Sequence, residues 1–381
     1  MVSNLAKLVM VKPRAKTTYE RWMEKEGVPI VDGFGVSDIR GLSLRPWSRL
    51  GCDGAYLQLR GLEGLTGAYV GKIAAGTMTE PEKHLYEKVI YIIEGEGVAE
   101  FQQRGRVPQS IAWRTGSLFS PPLNATHRLI NHSKEPAIFL AVTTAPMVLD
   151  HFHNEQFVFN SDFAFADRYD GEGDYFDVTD RRYLGAHDRQ WIWETNFVPD
   201  ARNASMDAHE QNGSEISIMQ FEIAKNTLAS EVVEWPAGRY CRADDHAGGD
   251  VLVMLRSEGY SLMWPQQWGT HPYQDGYGDR VVRINWKPGS VFSPPSHWFH
   301  QHFNTGTEAA LQLALRCGSH KFPLGIRVAS IRADVYSSVK QDRTFIEYKD
   351  EDPKIRGIYD AELRKRGIVP DMSYAAAVNH D

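Results

Sequence analysis

An all-β protein of two similar barrels in one chain is what this 381-residue sequence predicts, and two observations carry the prediction. The first is an internal repeat. "WRTGSLFSPPLNATHRLIN" (Trp113 to Asn131) and "WKPGSVFSPPSHWFHQHFN" (Trp286 to Asn304) agree at nine of nineteen positions without a gap. Upstream of each, "EKHLYEKVIYIIEGEG" (Glu82 to Gly97) aligns with "DDHAGGDVLVMLRSEG" (Asp244 to Gly259), which sets His84 on His246. The second is rhythm: short runs of Val, Ile, Leu and aromatics, broken every 6 to 12 residues by Gly, Pro, Asn or Asp, as strands and turns require.

Taken in order, residues 1–54 read as an arm holding one helix, "TTYERWMEKEG", opened by threonine caps and closed by Gly27. Residues 55–148 form the first barrel, with no helix of ordinary length between Ala55 and Ala145. Residues 149–212 are a connector, and "DHFHNEQFVFNSDFAFADRYDGEGDYF" is too aromatic to be a free linker, so it is predicted to pack. Residues 213–320 form the second barrel. Its two repeat histidines, His246 and His300, are 54 residues apart against 43 for His84 and His127. The extra eleven fall in "WPQQWGTHPYQDGYGDR", a longer hairpin loop. Residues 321–381 turn charged and helix-like in "SSVKQDRTFIEYKDEDP" and "IYDAELRKRGIVPDM", with a break at Pro353.

Composition narrows the function. Forty-two basic against forty-nine acidic residues give a formal charge of −7, which offers no basic footprint for nucleic acid or an anionic membrane. Cys52, Cys241 and Cys317 lack paired spacing, which excludes a disulfide framework and a thiolate zinc site. No window approaches eighteen apolar residues and the N-terminus has no cleavage pattern. The expectation is a cytoplasmic protein that acts on a small molecule. Aromatic and aliphatic residues in the flanks (Tyr19, Trp22, Phe345, Ile346, Tyr348, Tyr359) need cover, which predicts a homo-oligomer, most simply a dimer, through the terminal arms.

The repeat resembles the two-motif signature of cupins, small antiparallel barrels with G-x5-H-x-H-x3or4-E-x6-G followed by G-x5-P-x-G-x2-H-x3-N. The second motif is present twice, as Gly116, Pro122, Asn124, His127, Asn131 and as Gly289, Pro295, His297, His300, Asn304, with Asn124 and His297 standing where the pattern has glycine. In the first motif His84 and His246 fill the second histidine. Glu82 and Asp244 replace the first, and Lys88 and Asp250 replace the glutamate. The resemblance implies a double cupin, similar in size and layout to gentisate-type ring-cleaving dioxygenases. Oxalate decarboxylases and seed-storage proteins without metal share that layout.

Residue chemistry gives a parallel reading. Alternation along a strand puts Glu82, His84 and Lys88 on one face, and Asp244, His246 and Asp250 on another, with Glu87 out of phase and on the outside. Copy one offers Glu82, His84 and His127, a 2-His-1-carboxylate set suited to non-haem Fe(II). Lys88 either repels a metal there or holds Glu82 in an ion pair. Copy two offers Asp244, His246, Asp250 and His300, with His297 and His302 nearby, a set that accepts Fe(II), Mn(II) or Zn(II). Charge alone ranks copy two as the tighter cation site. Asn124, Asn131 and Asn304 read as turn formers, and Trp264, Trp268, Trp286 and Trp298 as an aromatic pocket or ordinary core. The expectation is a divalent-metal enzyme, Fe(II) favoured, an oxygenase cleaving a C–C bond of a small oxygenated or aromatic substrate. A redox-neutral lyase, decarboxylase or isomerase is the alternative, and a non-catalytic small-molecule binder a third reading.

Overall fold

The computed structural model describes residues 14–184, 191–204, 216–324 and 345–372. In the N-terminal segment lie helix α1 (Thr18–Lys25) and strands β1 (Ile30–Gly33), β2 (Gly35–Val36) and β3 (Arg45–Trp47). The first barrel follows: β4 (Cys52–Leu59), β5 (Gly67–Ile73), β6 (Lys88–Glu94), β7 (Glu96–Gln102), β8 (Gln109–Arg114), β9 (Leu118–Phe119), β10 (Thr126–Ile130) and β11 (Ala137–Thr143). The connector holds α2 (Ala145–Phe152), α3 (Glu155–Asn160), β12 (Arg182–Leu184), β13 (Trp191–Glu194) and β14 (Phe197–Val198). The second barrel is β15 (Ser217–Glu222), β16 (Leu228–Trp235), β17 (Val251–Arg256), β18 (Gly259–Pro265), β19 (Val282–Trp286), β20 (Val291–Phe292), β21 (Trp298–Asn304) and β22 (Ala310–Cys317), and α4 (Pro353–Arg366) closes the described chain.

Both barrels pair their strands in one order. The main sheet of the first runs β1-β4-β5-β11-β6-β9-β14, that of the second β13-β15-β16-β22-β17-β20-β2 with β12 beyond β13. The smaller sheets are β10-β7-β8 and β21-β18-β19. The all-β, two-barrel fold class read from the sequence is the fold observed. Strand β11, "AIFLAVT", is buried at every position, because one of its faces lines a barrel and the other meets the second barrel. A continuous apolar run is what a strand covered on both faces needs. Leu140 and Val142 of β11 accordingly share one apolar cluster with Leu313 and Leu315 of β22.

The arm and the connector are part of the repeat, which the barrel motifs alone did not reveal. Strand β2, from the arm, pairs with β20 of the second barrel, and β14, from the connector, pairs with β9 of the first. "VSDIR" (Val36 to Arg40) and "VPDAR" (Val198 to Arg202) then make matching clamps. Asp38 and Asp200 each cap a short turn, accepting from the backbone of Arg40 and Arg202 at 3.0 Å. Each arginine binds its aspartate through two nitrogens and donates once more across to the barrel, Arg40 to the Pro288 carbonyl at 2.8 Å and Arg202 to the Thr115 carbonyl at 3.0 Å. Gly289 and Gly116 lie beneath them at φ +95° and +93°. A Cβ on Gly116 would sit 2.2 Å from Asp200 Oδ1, so only glycine fits.

Helix α1 begins with a capping box between Thr17 and Glu20 and ends before Gly27 at φ +70°. Its Tyr19, Trp22 and Met23 enter the core of the first barrel. On the second barrel, Ile355, Tyr359 and Leu363 of α4 join Ile346, Tyr240 and Phe303 in one cluster. Of the six flank residues that motivated a dimer, Tyr19, Trp22, Ile346 and Tyr359 are covered by their own chain, and Phe345 and Tyr348 are half-buried. Of the tail reading, residues 325–344 lie outside the described residues, and Tyr348–Asp350 forms a single 3-10 turn. The connector packs as expected, with Tyr169 and Phe176 buried. The tryptophans divide: Trp264 and Trp286 are core, whereas Trp268 of the long β18–β19 loop stacks on Tyr277 at 4.9 Å. Among the described residues no helix is long and apolar enough to cross a membrane.

Because each clamp rests on one capping aspartate, Asp38→Ala and Asp200→Ala should each lower stability by about 1–2 kcal/mol. The two losses should add within about 0.5 kcal/mol, since the sites share no partner. Denaturant midpoints of the single and double variants measure this, and unchanged midpoints would remove the clamps from the account of stability.

Candidate metal centre

Each barrel builds its interior cluster on one two-residue bridge. His127 of β10 pairs with Glu82 through reciprocal backbone bonds of 2.9 Å, and His300 of β21 pairs with Asp244 through bonds of 2.8 and 3.0 Å. The left-handed residues just before the histidine strands, Asn124 and His297, both sit at φ +58°, the conformation that the motif's glycine would adopt. Asn124 also ties the mouth of the first barrel to the connector, donating to the carbonyls of Ser161 and Phe163 at 3.0 and 2.7 Å. Asn131 and Asn304 do more than form turns. Each is fully buried and its amide donates to three carbonyls, for Asn304 those of Trp235, Pro236 and Glu308.

All four repeat histidines are oriented alike. The Nδ1 atoms of His84, His127, His246 and His300 face the carbonyls of Tyr86, Ala125, Ala247 and Trp298 at 2.8, 3.1, 2.8 and 3.1 Å. A carbonyl only accepts, so Nδ1 carries the proton in each and Nε2 presents a lone pair. This is how a carbonyl behind an imidazole prepares it as a ligand.

In the second barrel those lone pairs meet carboxylates. Ligand atoms of Asp244, His246 and His300 lie within 4.8 Å of one another, the one such group among the described residues. The His246 and His300 rings cross at 83° with centroids 4.6 Å apart. Asp250, 3 % exposed, brings Oδ2 to 3.6 Å from His246 Nε2. Asp245, which the sequence reading passed over, lies beside this group. Its Oδ2 is buried without a hydrogen-bond partner, and burial, reinforced by the charge of Asp244, raises its pKa. His302 lies next to His300, ring centroids 5.7 Å apart, and commits Nδ1 to the Ser261 hydroxyl at 2.7 Å, and His297 is exposed.

The first barrel gathers Glu82, His84 and His127 as well, but the ammonium of Lys88 sits among them. Lys88 Nζ is 2.6 Å from Glu82 Oε2 and 3.1 Å from His127 Nε2, and Lys88 is 1 % exposed. Of the two roles the sequence left open for Lys88, the ion pair with Glu82 is the one seen. Arg49, an arm residue outside both motifs, holds the other carboxylate oxygen of Glu82 at 2.6 Å. Burial would raise the Glu82 pKa, but Lys88 and Arg49 outweigh it and hold the carboxyl below the usual carboxylate range. Burial lowers the pKa of Lys88, with Glu82 opposing. Burial together with Lys88 keeps His84 neutral and takes His127 down to about 3.

One sequence reading fails here. Glu87 is buried, not outside: it accepts from the backbone of Thr227 and Leu228 at 3.0 and 2.9 Å and from Arg168 at 3.2 Å. The alternation itself holds, with Glu82, His84 and Lys88 turned into their own barrel and Glu87 on the opposite face; that face is covered by the second barrel instead of facing solvent. Lys88 turns into its own barrel, and Glu87 reaches the second.

Two outcomes follow from these charges. His127 and His302 stay neutral in the fold down to about 3, while in the unfolded chain they take up a proton near pH 6.5. The unfolded state therefore binds more protons between those values, and stability should fall on acidification below about pH 6.5, by about 1.4 kcal/mol per pH unit for each histidine. With His84 also held neutral well below its ordinary range, urea titrations from pH 7 to pH 5 should show this slope, and His302→Gln should remove about a third of it; a flat profile contradicts the assignment. Lys88→Met should cost about 3 kcal/mol, the low end for breaking a buried pair because Arg49 remains on Glu82. Adding Glu82→Gln should recover most of that loss.

Residues 69–143 match the cupin domain family. No curated protein sequence matches the chain. Among solved structures, the SENS161-164DSSN mutant of Bacillus subtilis oxalate decarboxylase is similar at TM-score 0.46 and 14% identity, over 75% of this chain and 78% of that one. A second structure of that decarboxylase, from work on its Mn(II) centres, gives 0.45 and 15% over 75% and 78%. Vicilin from the hazelnut Corylus avellana gives 0.44 and 11% over 74% and 85%. The match to the cupin domain family lies on the first barrel, and the same strand order and second motif recur in the second barrel.

Proposed function

We propose that this protein is a metal-dependent enzyme with one divalent cation per chain, held in the second barrel by Asp244, His246 and His300, with Asp250 as a fourth donor, and that it catalyses a redox-neutral lyase, decarboxylase or isomerase reaction on a small oxygenated substrate. The observation that carries this reading is the exchange at one repeat position: an acid, Asp250, where the first barrel has Lys88. The donor set fits a cation, since two imidazole lone pairs and two carboxylates converge in a largely buried space. When bound, the cation supplies Lewis-acid stabilisation of an oxyanion developing on the substrate. The residues do the rest: the carbonyls of Ala247 and Trp298 fix both imidazoles, and the Asp244–His300 bridge locks two donors in register.

Between oxygenase and redox-neutral chemistry, the number of protein donors favours the second. Four donors leave two positions of an octahedral set, which a chelating substrate fills, and carboxylate-rich sets suit Mn(II) and similar hard ions. Fe(II) oxygenase chemistry is the second reading, favoured by the three-member group Asp244, His246 and His300, which would leave a further position if Asp250 stayed apart.

Metal analysis of protein purified without chelator or affinity metal should give one divalent ion per chain. His300→Ala should remove it and His127→Ala should not; the reverse pattern would overturn the assignment. Lys88→Glu should raise the content to two per chain, because it swaps the competing ammonium for a carboxylate. Oxygen consumption during turnover would move the reaction to the second reading.

A further inference from the structure

The first barrel, closed to metal by Lys88, still holds a cavity of about 350 Å³ bordered by Arg49, Glu82 and His84, with Pro81 and Phe159 as apolar walls and Lys83 at the rim. Two of these residues carry unmet hydrogen-bonding capacity. Arg49 is fixed from several sides: Nε by Glu26 at 2.7 Å, Nη1 by Glu82 at 2.6 Å, and the guanidinium face by the rings of Trp22 and Trp47 at 5.0 and 4.9 Å. Its Nη2 is buried without a partner. His84, 4 % exposed, stacks on Tyr86 at 3.7 Å and commits Nδ1 to the Tyr86 carbonyl, while its Nε2 is also buried without a partner. Lys88 satisfies Glu82 and His127 but has no bond to His84 Nε2.

One rigid donor and one rigid acceptor therefore border the same cavity. Buried polar atoms are rarely left without a partner, and each unmet one costs about 1–3 kcal/mol. The donor is charged and calls for an anionic oxygen. The acceptor calls for a hydroxyl, and a bare carboxylate would set an oxygen lone pair against the lone pair of Nε2. Lys83 adds positive charge at the entrance, where its partner Asp162 stands off at 3.7 Å and is 75 % exposed.

We propose that the first barrel is a metal-free binding site for a small hydroxycarboxylate, with the carboxylate on Arg49 Nη2 and the hydroxyl donating to His84 Nε2. This site does not depend on the cation reading of the second barrel. No covalent step is involved; the site selects by hydrogen bonds, and a ligand lacking the hydroxyl leaves His84 Nε2 unmet, the situation that gives strong discrimination.

Calorimetric titration of the full-length protein with lactate, propionate and hydroxyacetone tests it. Lactate should bind saturably at one per chain, and propionate, without the hydroxyl, about tenfold more weakly or worse. Hydroxyacetone, without the charge, should also bind more weakly than lactate. His84→Leu should abolish the preference for lactate over propionate, and Arg49→Lys should weaken both acids, with circular dichroism confirming the fold of each variant. His300→Ala should bind lactate like the parent. Absence of lactate binding, equal binding of lactate and propionate by the parent protein, or loss of lactate binding in His300→Ala would each overturn the proposal, the last by moving the site to the second barrel.

Discussion

The buried pair between Lys88 and Glu82 sets the terms for the rest of the molecule. Both barrels aim imidazole lone pairs and at least one carboxylate at their centres, an arrangement that in a low-dielectric interior must be matched by positive charge. The first barrel supplies it from its own chain, with the Lys88 ammonium ion-paired to Glu82 and hydrogen-bonded to His127. In the second barrel an acid occupies the same repeat position, and the donors of Asp244, His246 and His300 converge within 4.8 Å. One substitution between two copies of one motif divides the chain into a barrel that carries its own cation and a barrel suited to taking one up.

The arrangement holds because the barrels are bound into one body. Their main sheets share an apolar cluster through Leu140, Val142, Leu313 and Leu315, and each receives a strand from a segment that lies before the other barrel in sequence. The Asp38–Arg40 and Asp200–Arg202 clamps press on Gly289 and Gly116, which open the second motif of each barrel. Glu87 adds a polar link, its carboxylate bonded to the backbone of Thr227 and Leu228 while the adjacent Lys88 faces inward. The chain thus couples the interior of one barrel to its neighbour through two successive residues.

Arg49 shows how the arm contributes to chemistry. Its guanidinium is held by two glutamates and two indole rings, so its free nitrogen is presented with little conformational freedom. Glu26 and Trp22, which hold it, follow or lie within the first helix. Removing the arm would therefore take away both an apolar cover and the geometry of the first barrel's cavity.

By itself the sequence determined the two-barrel all-β fold, the grouping of Glu82, His84 and His127 and of Asp244, His246, Asp250 and His300, and the inequality of Lys88 and Asp250. A motif written twice shows that two like units stand in one chain and which residues correspond, and a charge of opposite sign at one position is legible without coordinates. The tertiary structure decided what depends on contacts between distant segments. It sent β2 of the arm to the second barrel and β14 of the connector to the first, because two-residue strands carry too little periodicity to be read, and it placed Arg49 in the first barrel from outside any motif. It buried Glu87, because the outward face on which alternation places it is covered by the second barrel. It covered Tyr19, Trp22, Ile346 and Tyr359 with their own barrels, since apolar patterning shows that a residue needs a surface and only the packed chain shows which surface it finds.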